Sequence, residues 1–457
     1  MKKKKKTVSY KRHQERKSWI TGKKVIGIDP AKEKHQVTVL DERGIQMGES
    51  FSINVTHKGF NEDLWKKLGK ILGEFRKEEV VFAIESSCDL WRVFAGYLHR
   101  RGYTVLLVSP LITSKTRATI NNDFSKTDPK DAFLVAENAQ GGKYNEYKRY
   151  CPEINKLHSL CIAHDKLTKD RNRIILRLRS LMEEIFPEYL KCMHVEIQTS
   201  LYLLGKYFLP EHFLKLDVKE EQMNIRRISN GNHNAGTLMK LKEYAQNSIG
   251  ADKRGEEDSV RIILDAWISQ LRLIHENMKS IGNRMIELAK ETEFFEIIVS
   301  VPGISDISAA RLIGECRDLR LFTHYKQIEK MAGSNIRLCD SGKYAGTRRI
   351  NGMGNKRLLK LIYIMTTQTA RFMPEVRIKF IKRQMRNKSY RKNIFAASSI
   401  LLRLLMELIK EKRTYEFRDD KVMELARLEL KYDPEGMKGK KRKMKRKNKK
   451  NAAQEAA

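Results

Sequence analysis

The sequence predicts an α/β layered domain followed by a long, mostly helical region. Three observations carry that prediction. Short strand-like runs alternate with helical spacing between Lys24 and Pro110. Apolar residues recur at alternating steps of four and three after Glu153. From Phe294 onward the chain reads as short helices punctuated by glycine. A length of 457 residues suits about three domains. The expected divisions are a basic arm at 1–23, an α/β domain at 24–149, heptad helices with an inserted tip at 150–293, a helical domain at 294–413, and a charged helix with a basic tail at 414–457.

The first strand is Val25-Ile26-Gly27-Ile28, a short buried-type run. His35 to Leu40 alternates and leads into the turn Asp41-Glu42-Arg43-Gly44, and Glu49 to Val55 can form a third strand. Asn61 to Phe75 has helical spacing at Leu64, Leu68, Ile71, Leu72 and Phe75. Val80 to Ile84 is a further strand closed by Glu85, Leu90 to Leu98 a helix, and Thr104 to Val108 a strand. Three hairpin-type strands followed by alternating helices and strands have the order of a RuvC-like (ribonuclease-H-like) sheet.

Two heptad seams follow. The first is Leu160, His164, Leu167, Arg171, Ile174, Leu178, Leu181 and Ile185; the second is Leu264, Trp267, Leu271, Ile274, Met278, Ile281, Met285 and Leu288. They can pair within the chain as an antiparallel coiled coil or between chains. His164 and Arg171 are odd for a dry seam and either face a charged partner or sit at a solvent-open stretch. The stretch from His194 to Ser259 reads as short helices and loops at the coiled-coil tip. In the last domain, Val301-Pro302-Gly303-Ile304-Ser305 has the pattern of a helix-hairpin-helix element, where a glycine lets a turn approach phosphate; a plain Pro-Gly turn capped by Ser305 is the alternative.

Lys and Arg number 91 against 56 acids, a net charge of +35. Residues 1–17 hold nine basic residues and one acid, and Lys438 to Lys450 hold ten and none, so the two ends carry +18. Such ends read as solvated arms that hold phosphates without choosing sequence. The remaining +17 lies in the middle and points to a nucleic-acid partner. The absence of any run of about 18 apolar residues excludes a membrane-spanning helix. The six cysteines form no C-x-x-C pair, which argues against a disulfide framework or structural zinc and suits a reducing cytosol.

Four carboxylates stand out. Asp29 ends the first strand, Glu85 ends the fourth, and Asp128 and Asp131 share a helix face in Lys126-Thr127-Asp128-Pro129-Lys130-Asp131-Ala132. Four acids in one place would repel without a cation, and oxygen-only ligands suit Mg²⁺ or Mn²⁺. Asp128 before Pro129, with Asp131 three residues on, also fits an ordinary capped helix start. A second candidate is Asp340-Ser341-Gly342-Lys343, in a stretch continuing through Gly346, Arg348, Arg349, Gly352, Gly354, Lys356 and Arg357. Its glycines and cations suit close approach to phosphates, and Ser341 is either an exposed nucleophile or a turn residue.

Taken together, Gly27-Ile28-Asp29, Ala83-Ile84-Glu85, Lys126 to Ala132, Pro302-Gly303-Ile304, Ala332-Gly333, Ser341-Gly342 and Gly354-Asn355-Lys356-Arg357 resemble the DEDD-type insertion-sequence transposases (the IS-one-ten family), over roughly residues 24 to 410. The resemblance implies a RuvC-like domain with a DEDD metal site of Asp29, Glu85, Asp128 and Asp131 holding Mg²⁺ (or Mn²⁺). It implies a coiled coil for subunit assembly and a mostly α-helical C-terminal transposase domain whose serine, here Ser341, becomes covalently linked to DNA. It further implies a composite site in a dimer or tetramer, a guide (bridge) RNA, element-end and target DNA, and a cytoplasmic, nucleoid-associated prokaryotic protein. Gly303, Lys343, Arg348, Arg349, Lys356 and Arg357 are the expected nucleic-acid contacts. Asp340 before the serine, and the long tip, depart from the family pattern. A metal-dependent RuvC-like nuclease without the serine step is the alternative.

Overall fold

The computed structural model describes residues 8–117, 127–253, 255–337, 340–341, 344–345 and 349–432, with the backbone alone at 8–10, 340–341 and 344–345. The chain divides into two compact units at 149/150.

The first unit contains α1 (Val8–Ile20), β1 (Lys24–Asp29), β2 (Lys34–Leu40), β3 (Phe51–Asn54), α2 (Leu64–Leu72), β4 (Val80–Glu85), α3 (Trp91–Arg100), β5 (Val105–Val108), α4 (Pro110–Arg117), α5 (Asp128–Gln140) and β6 (Asn145–Glu146). The strands form one mixed sheet in the order β3-β2-β1-β4-β5-β6. The hairpins β1–β2 and β2–β3 are antiparallel, while β1–β4 and β4–β5 are parallel. Parallel strands buried on both faces read as continuous apolar runs, as the central residues of β1 and β4 do.

The period of two sorts these residues between two cores. Ile26, Ile28, Phe82 and Ile84 pack with Leu64, Leu68, Phe94 and Leu98 of α2 and α3. Val25, Val81 and Ala83 pack with Val135, Ala136 and Ala139 of α5 and with Ile20 of α1. Gly27 lies on the α5 face, where a Cβ would come within 2.2 Å of the Ala132 carbonyl oxygen. The helix therefore rests directly on strand backbone.

The N-terminal arm departs from the expected solvated segment. From Val8 it is a helix docked on the sheet edge. Ile20 is buried, Tyr144 Oη donates to the Arg16 carbonyl at 3.0 Å, and Arg16 Nη2 donates to Asn145 Oδ1 at 3.0 Å. An apolar anchor at the end of the basic run fastens it.

The second unit is built on two 34-residue helices, α6 (Pro152–Ile185) and α12 (Glu257–Lys290). Between them come α7 (Tyr189–Cys192), α8 (Gln198–Leu204), α9 (Pro210–Lys215), α10 (Val218–Ile228) and α11 (Ala235–Gln246). The chain continues as α13 (Phe295–Val299), α14 (Asp306–Cys316), α15 (Tyr325–Ala332), β7 (Ile336–Arg337), β8 (Asp340–Ser341), β9 (Tyr344–Ala345), β10 (Arg349–Ile350), α16 (Lys356–Phe372), α17 (Pro374–Gln384), α18 (Tyr390–Glu411) and α19 (Asp419–Tyr432).

The two long helices are antiparallel, since each core joins opposite ends of them. One core unites Ile174 to Ile185 with Val260 to Leu271 and the tip helices around Phe186, Tyr189 and Phe213. The other unites Ile154, Leu157 and Cys161 with Met285, Leu288 and α13 to α18. The expected continuous heptad seam is not what forms. Near its start α6 buries Leu157, Cys161 and Asp165 rather than Leu160, His164 and Leu167. That face is turned to α14, whose Gly314 lies against Cys161 and Leu157. Between Asp165 and Ile174, and between Leu271 and Gly282, no residue is buried. His164 and Arg171 are half-buried beside this waist, with His164 Nδ1 and Arg171 Nε shielded from solvent, so the solvent-open alternative does not describe them.

Candidate acidic centre and serine hairpin

Asp29 and Glu85 are the last residues of adjacent parallel strands, whose register pairs Ile28 with Ile84. They therefore stand at the same end of the sheet, about 5 Å apart along the strand-to-strand direction. Alternation also sets their face: Val25, Gly27 and Asp29 share one side of β1, and Val81, Ala83 and Glu85 share one side of β4, the side covered by α5.

The direction of α5 brings the other two acids to that end. Gln140, its last residue, donates to the Asp41 carbonyl at 2.6 Å. Asp41 follows Leu40, which pairs with Val25 at the start of β1. The C-terminal end of α5 thus lies at the beginning of β1. Its first turn, with Asp128 and Asp131, reaches the end where Asp29 and Glu85 stand.

The capped-helix alternative for this pair does not hold. Thr127 is the N-cap and offers no side-chain cap, Asp128 is the first helical residue and Pro129 the second. Asp131 falls in the fourth helical position and is 2% exposed. Its Oδ1 accepts from Arg117 Nε at 2.8 Å and from Arg117 Nη2 at 2.6 Å. A buried carboxylate needs such a partner, because desolvation of the bare charge is costly. Asp128 is exposed, and Asp29 and Glu85 are half-buried.

The donor set is all oxygen, which fits a hard divalent cation. Placement at one sheet end fits as well. The assembly is incomplete, however: among the described residues no three His, Cys, Asp or Glu side chains draw together as metal ligands. Arg117 holds Asp131 instead.

One histidine of this unit is set apart from solvent. His35 is 1% exposed and packs between Phe60 and Phe94, with ring centroids at 5.7 and 5.1 Å. Burial lowers its pKa to about 4, so it is neutral at ordinary pH.

In the second unit, α15 ends at Gly333, whose left-handed backbone turns the chain into a two-stage hairpin. At its base Asn351 N donates to the Asn335 carbonyl at 2.8 Å and Gly352 N to the Gly333 carbonyl at 2.8 Å. Strands β7 and β10 pair Ile336 with Ile350 and Arg337 with Arg349. Further out, β8 and β9 pair Asp340 with Ala345 and Ser341 with Tyr344. Ser341 therefore lies in the outer ribbon, at the end of β8. Lys343 and Arg348 lie outside the described residues.

The pairing exposes a residue that the sequence reading passed over. Arg337 and Arg349 stand directly opposite each other, both exposed, with no acidic partner among the described residues. Like charges at a cross-strand pair repel, and an anion between them relieves the repulsion. The signal in the sequence was a second arginine four residues before the serine, legible only once the hairpin register is known.

Three expected phosphate contacts are placed differently from one another. Lys356 is exposed at the start of α16, and its Nζ donates to the Gly352 carbonyl. Arg357 is turned inward: its Nε donates to Glu315 Oε1 at 2.6 Å and its Nη2 to Glu315 Oε2 at 3.1 Å. Glu315 is 3% exposed and also accepts from Asn355 Nδ2 at 2.5 Å. The same Asn355 caps α16 by accepting from the Arg357 and Leu358 amides. The bond to Glu315 raises the Arg357 pKa. Arg357 is thus part of a buried ion pair beneath the hairpin. Gly303 has a positive φ of 93°, and a Cβ there would lie 3.0 Å from the Gln368 and Thr369 backbone. The absence of a side chain there lets the α13–α14 turn pack closely on the α16 backbone.

Comparison with known proteins agrees with this layout. A model of DEDD-type IS110 transposases, described as "Transposase", matches residues 26–187. A model described as "Transposase IS116/IS110/IS902 family" matches residues 295–380. The insertion element IS116 44.8 kDa protein of Streptomyces clavuligerus is 23% identical over 395 residues, 85% of this chain and 95% of that protein. A protein of the IS117 mini-circle of Streptomyces coelicolor is 22% identical over 321 residues, 67% of this chain and 75% of that protein. No described helix is long and apolar enough to cross a membrane. The two matched regions span more than half of the chain and contain both the acidic sheet end and the serine hairpin, and the chain belongs to the IS110 (IS-one-ten) family of transposases.

Proposed function

We propose that this transposase cuts and rejoins DNA through a covalent Ser341–DNA link, assisted by a divalent cation held by Asp29, Glu85, Asp128 and Asp131. The observation that carries the reading is the convergence of two strand-end acids and the first turn of α5 at one end of the sheet. Mg²⁺ or Mn²⁺ bound there would supply charge stabilisation at phosphorus.

The serine step balances without an external energy source. Ser341 Oγ forms a bond to a backbone phosphorus as the bond to a deoxyribose oxygen breaks, and that oxygen leaves as a hydroxyl carrying the proton. A second DNA hydroxyl then attacks the phosphoserine and releases the serine. The phosphodiester energy is kept in the protein–DNA bond, so rejoining needs no ATP. The facing Arg337 and Arg349, at the neck of the same hairpin, would hold the DNA backbone, with Lys343, Lys356 and Arg348 as further phosphate contacts.

We further read the active assembly as a homodimer or tetramer in which the serine and the acids come from different subunits. A bridge RNA would choose the target, so that the protein reads RNA shape and DNA backbone. The net charge of +35 supports a nucleic-acid partner.

The test is a denaturing gel of purified protein with Mg²⁺, labelled element-end and target DNA, and RNA transcribed from the element's flanks. A metal-dependent protein–DNA adduct in the wild type, absent in Ser341→Ala, is the expected result. Equal cleavage by both proteins without an adduct would overturn the serine step and leave a metal-dependent nuclease.

A further inference from the structure

Of the four acids, Asp131 is the buried one, and its charge is already balanced from within. Both Arg117 donors converge on a single oxygen, Oδ1. The guanidinium sits where a cation serving Asp131 would act, and its positive charge would oppose a dication on the same carboxylate. Arg117 lies in α4, and its side chain is 19% exposed, so it has a path to water.

Release of the arginine would not detach α4. Thr116 Oγ1 accepts from Asn138 Nδ2 at 2.8 Å, two turns along α5 from Asp131. Asn138 is buried and also donates to the Leu134 carbonyl at 2.8 Å, which fixes its rotamer. The two helices are thus tied by a neutral polar contact, while the charged one is free to exchange.

We propose that Arg117 is an internal counter-ion for the acidic sheet end, and that a divalent cation binds by taking Asp131 from it. The inference rests on the metal-site reading above. It accounts for why Asp131, the buried acid of the four, is turned to an arginine at the sheet end. Arg117 is then a positioning residue that holds the buried Asp131 carboxylate in place before metal arrives.

The experiment measures Mn²⁺ binding to the full-length protein by electron paramagnetic resonance, for wild type, Arg117→Gln and Arg117→Lys. Thermal melts with and without Mn²⁺ accompany it. Removing an internal competitor that makes two charge-assisted hydrogen bonds to Asp131 should tighten Mn²⁺ binding by at least about tenfold in Arg117→Gln. The metal-free variant should melt lower than wild type, and Mn²⁺ should raise its melting temperature by more. Arg117→Lys keeps the charge with a single compact donor and should tighten binding less; it also serves if Arg117→Gln fails to fold without metal. Unchanged or weaker Mn²⁺ binding in the folded variants would overturn the counter-ion role while leaving the metal site standing. No Mn²⁺ bound by wild type or variants would remove the acidic metal site itself, and the counter-ion role with it.

Discussion

Replacing Arg357 with methionine should destabilise the C-terminal core and leave phosphate binding nearly untouched. The guanidinium supplies two of the hydrogen bonds to Glu315, at 2.6 and 3.1 Å, and Asn355 supplies another. Glu315 has 3% of its side chain exposed and Arg357 has 29%. Removing one partner of a buried pair costs about 3–5 kcal/mol, and the partial exposure of Arg357 places this case near 3 kcal/mol. For a unit of this size that corresponds to a fall in melting temperature of roughly 5 °C. The double variant Glu315→Gln, Arg357→Met removes the stranded charge and should recover most of the deficit. Thermal denaturation by circular dichroism reads the stability, and fluorescence anisotropy on labelled DNA reads binding at a temperature where every variant is folded. A variant that melts like wild type but binds DNA many-fold more weakly would refute the structural role and restore Arg357 as a phosphate contact.

Other expectations follow from the same geometry. Ala in place of both Arg337 and Arg349 should weaken DNA binding for all sequences alike and flatten the plot of log affinity against log salt, by about 0.9 for each phosphate that is no longer neutralised; an unchanged slope would separate the pair from DNA. His35 has a lowered pKa, so the unfolded chain takes up its proton first as pH falls. Its contribution is intact above pH 6.5 and is lost toward pH 4, amounting to about 3 kcal/mol over that window. His35→Phe should remove that part of the acid sensitivity in urea titrations run across the window, and identical pH profiles would contradict it. Gly27→Val should prevent α5 from seating on β1 and cost more than about 3 kcal/mol, since the new side chain meets the Ala132 carbonyl; wild-type stability would disprove the direct contact.

The sheet was legible because its strands are buried on both faces. Val25 to Ile28 and Val80 to Ile84 are apolar runs that lie within β1 and β4, each closed by the acid that matters. The place of Asp29 and Glu85 followed from that ending alone. Helix α4 was missed, since Pro110 to Arg117 has few apolar residues and only Thr113 is buried. With it went Arg117, whose carboxylate partner lies 14 residues away. The heptad reading failed at the start of α6 for a different reason. It presumes one partner, whereas α6 meets α12, α14 and the tip core on different faces, so its buried line shifts to Leu157 and Cys161. Gly303 and Arg357 suit phosphate contact by residue type alone, and the sequence does not show what else they touch. Their actual neighbours, the α16 backbone and Glu315, are remote in sequence.

The paired helices α6 and α12 are each about 51 Å long at the usual rise per residue. They are gripped at both ends by separate cores and little gripped between. A beam clamped in this way flexes at its midspan. Amide exchange should accordingly be slowest in two blocks, near Leu178 with Leu264 and near Leu157 with Leu288, and faster around Arg171 and Met278.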